Sequence, residues 1–452
     1  MKSHRHITLR LSALLAIVLY FAGTNQAQDN DILLFGSQHE LNASRVLPSA
    51  FGKVNADRNF WISIPYIHVN GGQDFMKNRE LFEVLDGGEV PSQLITDVVN
   101  RMDGRNRIWA AAEVTPLAFG WRIRSKGEEL VSMNLSITEQ VFAKSSFGSG
   151  LFEVAWFGNA PYAGTVKELG PFEGDAVWQR EIALGAAFPL ADEQNFSLRG
   201  GFRAKYNMGM AAAHARPTAS TLTTAVDGSE ILYDLLVKAN VSGMNDLDPM
   251  GGNGSGFGMD FGTSASFGRW TADFSLLDLG FLTFKNDVTT FTARGEDEFV
   301  GLNLEEAFEG DITFADSLEN YVWTEEIEGG EMTVSTSTRI VLRGGYAIPS
   351  IDKKGRNYAR HSFFLSYIQG FVEGPRSSFE PQVSAAYVFN LNNIFELGTS
   401  VGYAHEDIDL GAFLSVRGGP FNFGLASSDF AGLLIGGSKS SADASFQMSF
   451  AF

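Results

Sequence analysis

Apolar and polar residues alternate along many segments of this chain. The clearest alternation runs from Asn195 to Met208, where one set of alternate positions is polar, basic or glycine. The other set is mostly apolar and comprises Phe196, Leu198, Gly200, Phe202, Ala204, Tyr206 and Met208. Alternate side chains of a β-strand point to opposite faces of the sheet. The pattern therefore predicts amphipathic strands.

The same alternation recurs at residues 117–126, 257–268, 339–346, 379–390 and 442–452. Strands of about ten residues with an apolar and a polar face are typical of transmembrane barrels, whose apolar face contacts lipid. We predict an all-β fold, a transmembrane antiparallel β-barrel of about fourteen strands, with twelve and sixteen as alternatives because single-chain bacterial barrels have even strand numbers. A soluble sheet with its apolar face inside would show the same alternation.

The N-terminus favours export. Lys2, Arg5 and Arg10 precede an apolar run over Leu11–Gly23, and Ala27 is a candidate cleavage point. This order is typical of a secretory signal peptide over residues 1–27. The apolar run is shorter than the roughly 20 residues of a membrane-spanning helix, so an uncleaved anchor is the less favoured alternative. The chain has no Cys, which excludes a lipidated N-terminal Cys and disulfides.

The last strand supports insertion into the outer membrane. Its apolar set ends on Phe452, the final residue of the sequence. We expect this strand to be the segment that the barrel-insertion machinery recognises, with outer-membrane lipid as the other partner. The expected location is the cell outer membrane.

The organisation of the mature chain follows from these strands. Residues 28–106 are predicted to hold the first strand and short helices within 75–103, as a plug in the lumen or a periplasmic cap. Residues 107–452 are assigned to the barrel. Residues 107–115 and 117–125 are predicted as separate strands, and 139–175 and 209–229 as long loops.

Charged residues fall on the face predicted to line the lumen. They are Arg122, Arg124, Arg199, Arg203, Lys205, Arg339, Arg343, Asp260 and Asp273. One interpretation is a lumen that attracts anionic solutes, because rings of charge set pore selectivity. The favoured interpretation is that these cations pair with acids and brace the wall, because every barrel needs a polar interior.

The overall charge excludes one class of partner. The formal net charge is −19, which argues against nucleic acid. An acidic stretch at 296–331 contains neither Lys nor Arg, and a Ca²⁺ site could be assembled from Glu305, Glu306, Glu309 and Asp311. A solvated external loop is the favoured interpretation, since the order of a dedicated calcium loop is missing. We predict no metal.

Signatures of catalysis are missing from the sequence. The histidines that remain after signal cleavage show no metal-ligand spacing; they are His39, His68, His214, His361 and His405. No G-x-S-x-G motif occurs, and the glycine-rich run at 250–258 lacks the Lys-Ser/Thr ending of a phosphate loop. We predict that the protein is not an enzyme and has no cofactor. A Ser–His–Asp set from distant strands is the remaining catalytic alternative.

Several segments carry a family resemblance. They include SQHELNASRVLPSAF (37–51), GSGFGMDFGTSASFGRWTADFSLLDLGFLTFKND (254–287) and DEFVGLNLEEAF (297–308). Together they resemble uncharacterised outer-membrane barrels of Bacteroidetes-type bacteria, similar in style to FadL-like barrels and to barrels that accompany gliding and type IX secretion. In the first segment Asn42 is followed by Ala43, where the family tends to have Pro.

The resemblance implies a location and fold rather than a reaction. It favours passive uptake of a small or hydrophobic solute across the outer membrane. The alternative is a non-conducting barrel, structural or accessory to secretion and gliding, that binds a protein partner.

Overall fold

The computed structural model describes most of the chain from residue 41 onward. The described residues are 41–51, 58–77, 80, 92–102, 104, 106–227, 231–243, 252–299, 323–352, 355, 357–372, 377, 379–404, 407–430 and 441–452. The predicted signal peptide, His39, His405 and the four residues of the candidate calcium site lie outside them.

Strands dominate the described residues. In chain order they are β1 Phe60–Gln73, β2 Asn106–Ser125, β3 Glu128–Phe147, β4 Val166–Glu168, β5 Phe172–Glu193, β6 Phe196–Thr224, β7 Ile231–Ser242, β8 Gly254–Phe267, β9 Trp270–Phe284, β10 Val288–Phe299, β11 Trp323–Glu328, β12 Met332–Ser335, β13 Arg339–Ile351, β14 Asn357–Gly370, β15 Gln382–Leu391, β16 Phe395–Ala404, β17 Asp407–Gly418, β18 Phe421–Ser427 and β19 Ser441–Ala451. Two α-helices cover Ser92–Arg101 and Gly150–Phe157, and short 3₁₀ helices cover Leu41–Arg45, Pro48–Ala50 and Ala160–Tyr162. No helix among the described residues is both long and apolar enough to cross a membrane.

Fourteen of these strands form a closed antiparallel barrel. The wall runs β1-β2-β3-β5-β6-β8-β9-β13-β14-β15-β16-β17-β18-β19 and returns to β1. Closure joins Trp61 to Ala451 and Gly72 to Ser441 along β1 and β19. The predicted fold class and strand number are confirmed. The wall begins at Phe60 rather than at residue 107, because β1 is one of its strands.

The two ends of the barrel differ. Phe60 and Phe452 meet at one end through backbone hydrogen bonds. Short connections such as 126–127, 268–269 and 419–420 lie at this end, and the longer connections that follow Gln73 and Phe147 leave the wall at the other. The Ser92–Arg101 helix belongs to the long connection between β1 and β2, so it lies at the end away from Phe60 rather than ahead of the wall.

The predicted break between residues 115 and 117 is wrong, because β2 is continuous from Asn106 to Ser125. A register shift between Val114 and Leu117 surrounds Pro116. Buried positions change there from odd numbers, such as Glu113, to even numbers, such as Ala118. A bulge inserts one residue and so exchanges the two faces of a strand. That exchange makes one strand look like two in the sequence.

The predicted loop at 209–229 is also wrong over most of its length. β6 continues to Thr224, and its upper half pairs with β7, which pairs with β10, which pairs with β11. These strands form an arm that extends beyond the wall. An apolar cluster joins the arm to the barrel, and it contains Val177, Ala212, Leu282, Phe284, Val288 and Met332.

The outer face of the wall is apolar. Exposed residues alternate with buried ones along each strand, and the exposed set includes Leu135, Leu184, Phe202, Phe261, Phe274, Leu342, Phe363, Leu365, Val383, Leu397, Val401 and Leu425. Aromatic pairs lie near the end with short turns, among them Trp270–Tyr346 at 4.8 Å and Phe421–Phe450 at 5.5 Å between ring centres. An apolar band with an aromatic girdle is typical of barrels in lipid.

Candidate functional site

The lumen contains a segment of the chain itself. We call residues 41–51 the inner segment; Leu47, Ser49 and Ala50 in it are at most 2% exposed. Its apolar residues pack against the wall in two clusters. Val46, Leu47 and Ala50 contact Leu277, Val341 and Ile368, and Phe51 contacts Trp61, Ala118 and Ala187.

Glycines in the wall make room for this segment. A Cβ atom at Gly201 would lie 2.5 Å from the carbonyl oxygen of Pro48, and one at Gly262 would lie 3.1 Å from its Cδ atom. Gly201 and Gly262 are directly paired across β6 and β8. Since each lacks a side chain, the backbone at Pro48 can approach the wall closely.

Arg199 binds the backbone of the inner segment. Its Nε donates to the carbonyl oxygen of Ser49 (3.3 Å), and its Nη2 donates to that of Phe51 (3.1 Å). The same guanidinium pairs with Glu129, with 2.6 Å between Nη2 and Oε1. Arg199 therefore links the wall to a segment about 150 residues away in sequence.

Arg45 of the inner segment contacts the wall through its charged side chain. Its guanidinium forms an ion pair with the Glu113 carboxylate on β2. The guanidinium carbon also lies 5.3 Å from the centre of the Tyr66 ring on β1. Both wall residues are buried, so the pair is shielded from solvent.

A chain of buried ion pairs crosses β5, β6, β8, β9 and β13. Arg203 lies between Glu181 (3.1 Å) and Asp260 (3.2 Å). Lys205 lies 2.7 Å from Asp260 and 2.5 Å from Asp278, and Arg339 lies 2.6 Å from the other oxygen of Asp278. Each of the three carboxylates thus lies within ion-pair distance of two cations, because Glu181 is also 3.6 Å from Lys205.

The remaining predicted charges occupy two further places. Arg343 forms a buried pair with Asp273 at 2.6 Å, and Arg122 lies 3.6 Å from Glu129. Arg124 shares the inward parity of Arg122 but is exposed at the end of β2, close to the turn at 126–127. The structure therefore gathers eight of the nine predicted residues inside the barrel and leaves Arg124 at its rim.

Sequence reasoning missed the partners Glu113, Glu129, Glu181 and Asp278. Asp278 has a positive φ of 55° at a register shift between β8 and β9. That bulge brings Leu277, which is fully buried, towards the inner segment and places Asp278 between Lys205 and Arg339. A bulge breaks the alternation on which the prediction depended. Glu181 lies at an inward position in the simple alternation of β5. A charged residue at that position was the signal that could have identified it.

One side of the lumen is apolar. We call the buried cluster of Tyr66, Phe364, Ala386, Val388, Phe413 and Ala426 the apolar strip. The guanidinium of Arg343 also lies over the Phe364 ring, with 5.3 Å between the guanidinium carbon and the ring centre. A pocket of about 700 Å³ lies against the same strands and is lined by Phe413 and Ala426 together with exposed Tyr387, Leu397 and Leu425.

A serine, a histidine and an aspartate do meet on the closing strands. Ser445 Oγ lies 2.8 Å from His68 Nδ1, and Asp443 Oδ2 lies 3.6 Å from His68 Nε2. The second distance exceeds that of a hydrogen bond. His68 and Ser445 are direct cross-strand partners, so their contact binds β1 to β19. Among the described residues, no group of three or more His, Asp or Glu side chains has the geometry of a metal site.

A polar cluster orders the long connection between β3 and β5. Glu153 accepts hydrogen bonds from Ser149 (2.6 Å), Tyr162 (2.9 Å) and Lys167 (2.5 Å). Partial burial raises the pKa of the Glu153 carboxyl, but these bonds, led by that from Lys167, outweigh it and hold the pKa below its ordinary value. Glu153 is therefore ionised at neutral pH.

Several solved structures resemble this fold at low identity. The toluene transporter TbuX of Ralstonia pickettii gives a TM-score of 0.41 at 9% identity, covering 96% of this chain and 97% of that one. A FadL homologue of Pseudomonas aeruginosa gives 0.41 at 10%, covering 96% and 99%. The Pseudomonas putida toluene transporter TodX gives 0.42 at 7%, covering 91% and 94%. The strand count and register above rest on this chain's own hydrogen bonds.

Sequence comparison identifies the family. No curated protein matches the chain at a significant level. The model of a family of unknown function, DUF5723, matches residues 54–428. The match begins just before β1 and ends just after β18, so it covers nearly the whole wall. The chain therefore belongs to the DUF5723 family.

Proposed function

We propose that this protein resides in the outer membrane and passes a small apolar solute through its lumen, with the inner segment as a plug. The apolar outer face supports the location, because a closed barrel in a membrane presents an apolar band of this kind to lipid. The closing strand β19 supports insertion as a barrel, because it alternates buried and partly exposed residues and pairs with both β18 and β1.

The observation that carries the proposal is the apolar strip. Barrel interiors in membranes are ordinarily polar. Here six apolar residues from β1, β14, β15, β17 and β18 form one buried cluster on the inward face. Such a surface offers an apolar solute a path with little desolvation cost.

The charged side of the lumen supports the same solute class. Arg203, Lys205, Arg339 and Arg343 each lie within ion-pair distance of a carboxylate. Paired opposite charges produce little net electrostatic field. These residues are therefore better suited to bracing the wall than to attracting anions. A reversal potential that shows anion preference in a salt gradient would contradict this interpretation.

The test is uptake of an apolar dye, N-phenyl-1-naphthylamine, by intact cells that express the barrel. We expect faster uptake than in cells with an empty vector, and loss of that gain with Val388→Asp, which places a charge in the apolar strip. Ser384→Asp is the matched control, since Ser384 is a buried inward residue on the same strand outside the strip. Equal uptake by the wild type and the empty vector would refute the proposal.

The arm favours a second candidate function, binding of a protein partner. Within the described residues β11 pairs only with β10, and Glu325, Glu326, Ile327 and Glu328 on it are exposed. An open strand edge can accept a strand from another chain. Deletion of 323–328 should abolish a co-purifying partner without changing dye uptake; unchanged co-purification would remove this candidate.

A further inference from the structure

A guanidinium group occupies a pocket between Glu113 and Tyr66, and it belongs to the inner segment. The Arg45 and Glu113 side chains are 9% and 3% exposed. The wall therefore contributes a buried carboxylate and the face of an aromatic ring. Those two groups together are what binds a desolvated organic cation.

The wall holds this pocket by its own contacts. Gln140 Nε2 donates to Glu113 Oε1 at 3.3 Å, and Gln179 Nε2 donates to Gln140 Oε1 at 2.6 Å. Glu113 and Tyr66 lie on the neighbouring strands β2 and β1, which are hydrogen-bonded along their length. The carboxylate and the ring are thus positioned by contacts within the wall.

The pocket continues into the apolar strip. Tyr66 contacts Arg45 and is also a member of the cluster with Phe364, Val388 and Phe413. A ligand bound through its cationic head at Glu113 could therefore lay an apolar group along this cluster. The geometry fits an amphiphilic cation better than a neutral hydrocarbon, because the site that Arg45 fills presents a buried carboxylate and the face of an aromatic ring.

We propose that Glu113 and Tyr66 recognise the guanidinium or ammonium head of an amphiphilic solute, and that Arg45 fills this site while the lumen is plugged. The inference rests on the proposed function in taking the lumen as the route, and it refines the solute from a wholly apolar molecule to one with an apolar body and a cationic head. Arg45 then acts as an intramolecular competitor that the solute must displace. Removal of the Arg45 side chain should raise the apparent affinity for the solute, since the site at Glu113 and Tyr66 is then open to it.

The test uses benzylguanidinium as the cationic probe and benzylurea as its uncharged counterpart. Calorimetry on the full-length mature barrel in detergent should show benzylguanidinium binding to Arg45→Ala about tenfold or more tightly than to the wild type. The double variant Arg45→Ala with Glu113→Gln should lose this gain, and benzylurea should bind none of them appreciably. Equal affinity of the wild type and Arg45→Ala, or equal binding of the two probes, would overturn the proposal.

A second measurement decides the matter if Arg45→Ala does not fold. The chain has no Cys, so Ser44→Cys introduces a unique thiol beside Arg45, at a position that is 2% exposed. Benzylguanidinium should accelerate maleimide labelling of this thiol by displacing Arg45, whereas benzylurea should not. An unchanged labelling rate would refute the site.

The two proposals fail in distinguishable ways. Loss of benzylguanidinium binding with normal uptake of the apolar dye would remove the cation site and leave the transport function. Normal benzylguanidinium binding with dye uptake no faster than in control cells would leave a ligand site in a barrel that does not transport the dye.

Discussion

Arg203 shows how the lumen tolerates charge. It is 1% exposed, and carboxylates of Glu181 and Asp260 lie within 3.2 Å of its guanidinium. A buried ion pair contributes little beyond an apolar replacement of both partners, but loss of one partner strands a charge. Arg203 therefore stabilises the barrel mainly because it neutralises the buried carboxylates of Glu181 and Asp260.

Replacement of Arg203 by Met should destabilise the barrel by about 3–5 kcal/mol, because it leaves two buried carboxylates with one fewer cation. The measurement is urea unfolding in lipid vesicles, followed by the folded band on a gel. Arg124→Met is the control: its side chain is exposed at the rim, so its effect should stay within about 0.5 kcal/mol. Equal effects of the two substitutions would contradict the network.

The sequence could predict part of this network. Strict alternation along β6 identified Arg199, Arg203 and Lys205, which all lie inward. Asp278 could not be found in this way, because the bulge in β9 departs from the two-residue period. The pairing of Arg45 with Glu113 depends on the path of the inner segment through the lumen, and periodicity carries no information about such long-range contacts.

At the scale of elements, the inner segment is held by shape as much as by charge. Gly201 and Gly262 leave space for the backbone at Pro48, and Arg199 binds the carbonyl groups of Ser49 and Phe51. The sequence raised a plug as one alternative for residues 28–106 but could not locate it. The alternation in the sequence predicted the wall strands better. The exceptions are β2, where a bulge shifts the alternation, and β6, which continues into the arm.

Gly201→Ala should push the inner segment out of position, since its Cβ atom would lie 2.5 Å from the carbonyl oxygen of Pro48. Overpacking of this kind costs about 1–3 kcal/mol. We expect larger or more frequent conductance events in planar bilayers than the wild type shows. Gly344→Ala is the matched control, because its Cβ atom would meet nothing within 4 Å. A conductance that Gly201→Ala leaves unchanged would argue against a plug.

At the scale of the whole molecule, closure removes every free edge from the wall. β1 pairs with β2 on one side and with β19 on the other, so the first and last wall strands complete the ring. Closed barrels satisfy all backbone groups within lipid, which an open sheet cannot do. The alternation in the sequence predicted the ring, because it recurred from residue 117 to the C-terminus with a terminal strand of the same kind.

The mature protein should fractionate with the outer membrane and migrate faster on a gel when unboiled than when boiled. Closed barrels resist detergent until heated, because unfolding must break the ladder between several strands at once. Recovery of the protein in the soluble periplasmic fraction would instead place the apolar face inside a soluble sheet and remove the transport proposal.

The length of β6 has a consequence for the end of the barrel that carries the long connections. Its lower half, Phe196–Gly209, pairs with β8 in the wall, and the part up to Thr224 continues into the arm. β6 still pairs with β5 of the wall as far as Ala215, so nine residues lie beyond that pairing and extend roughly 30 Å at about 3.3 Å per residue. We predict that, in a barrel inserted in the outer membrane with this end outward, the arm is the part of the protein that antibodies reach first on intact cells.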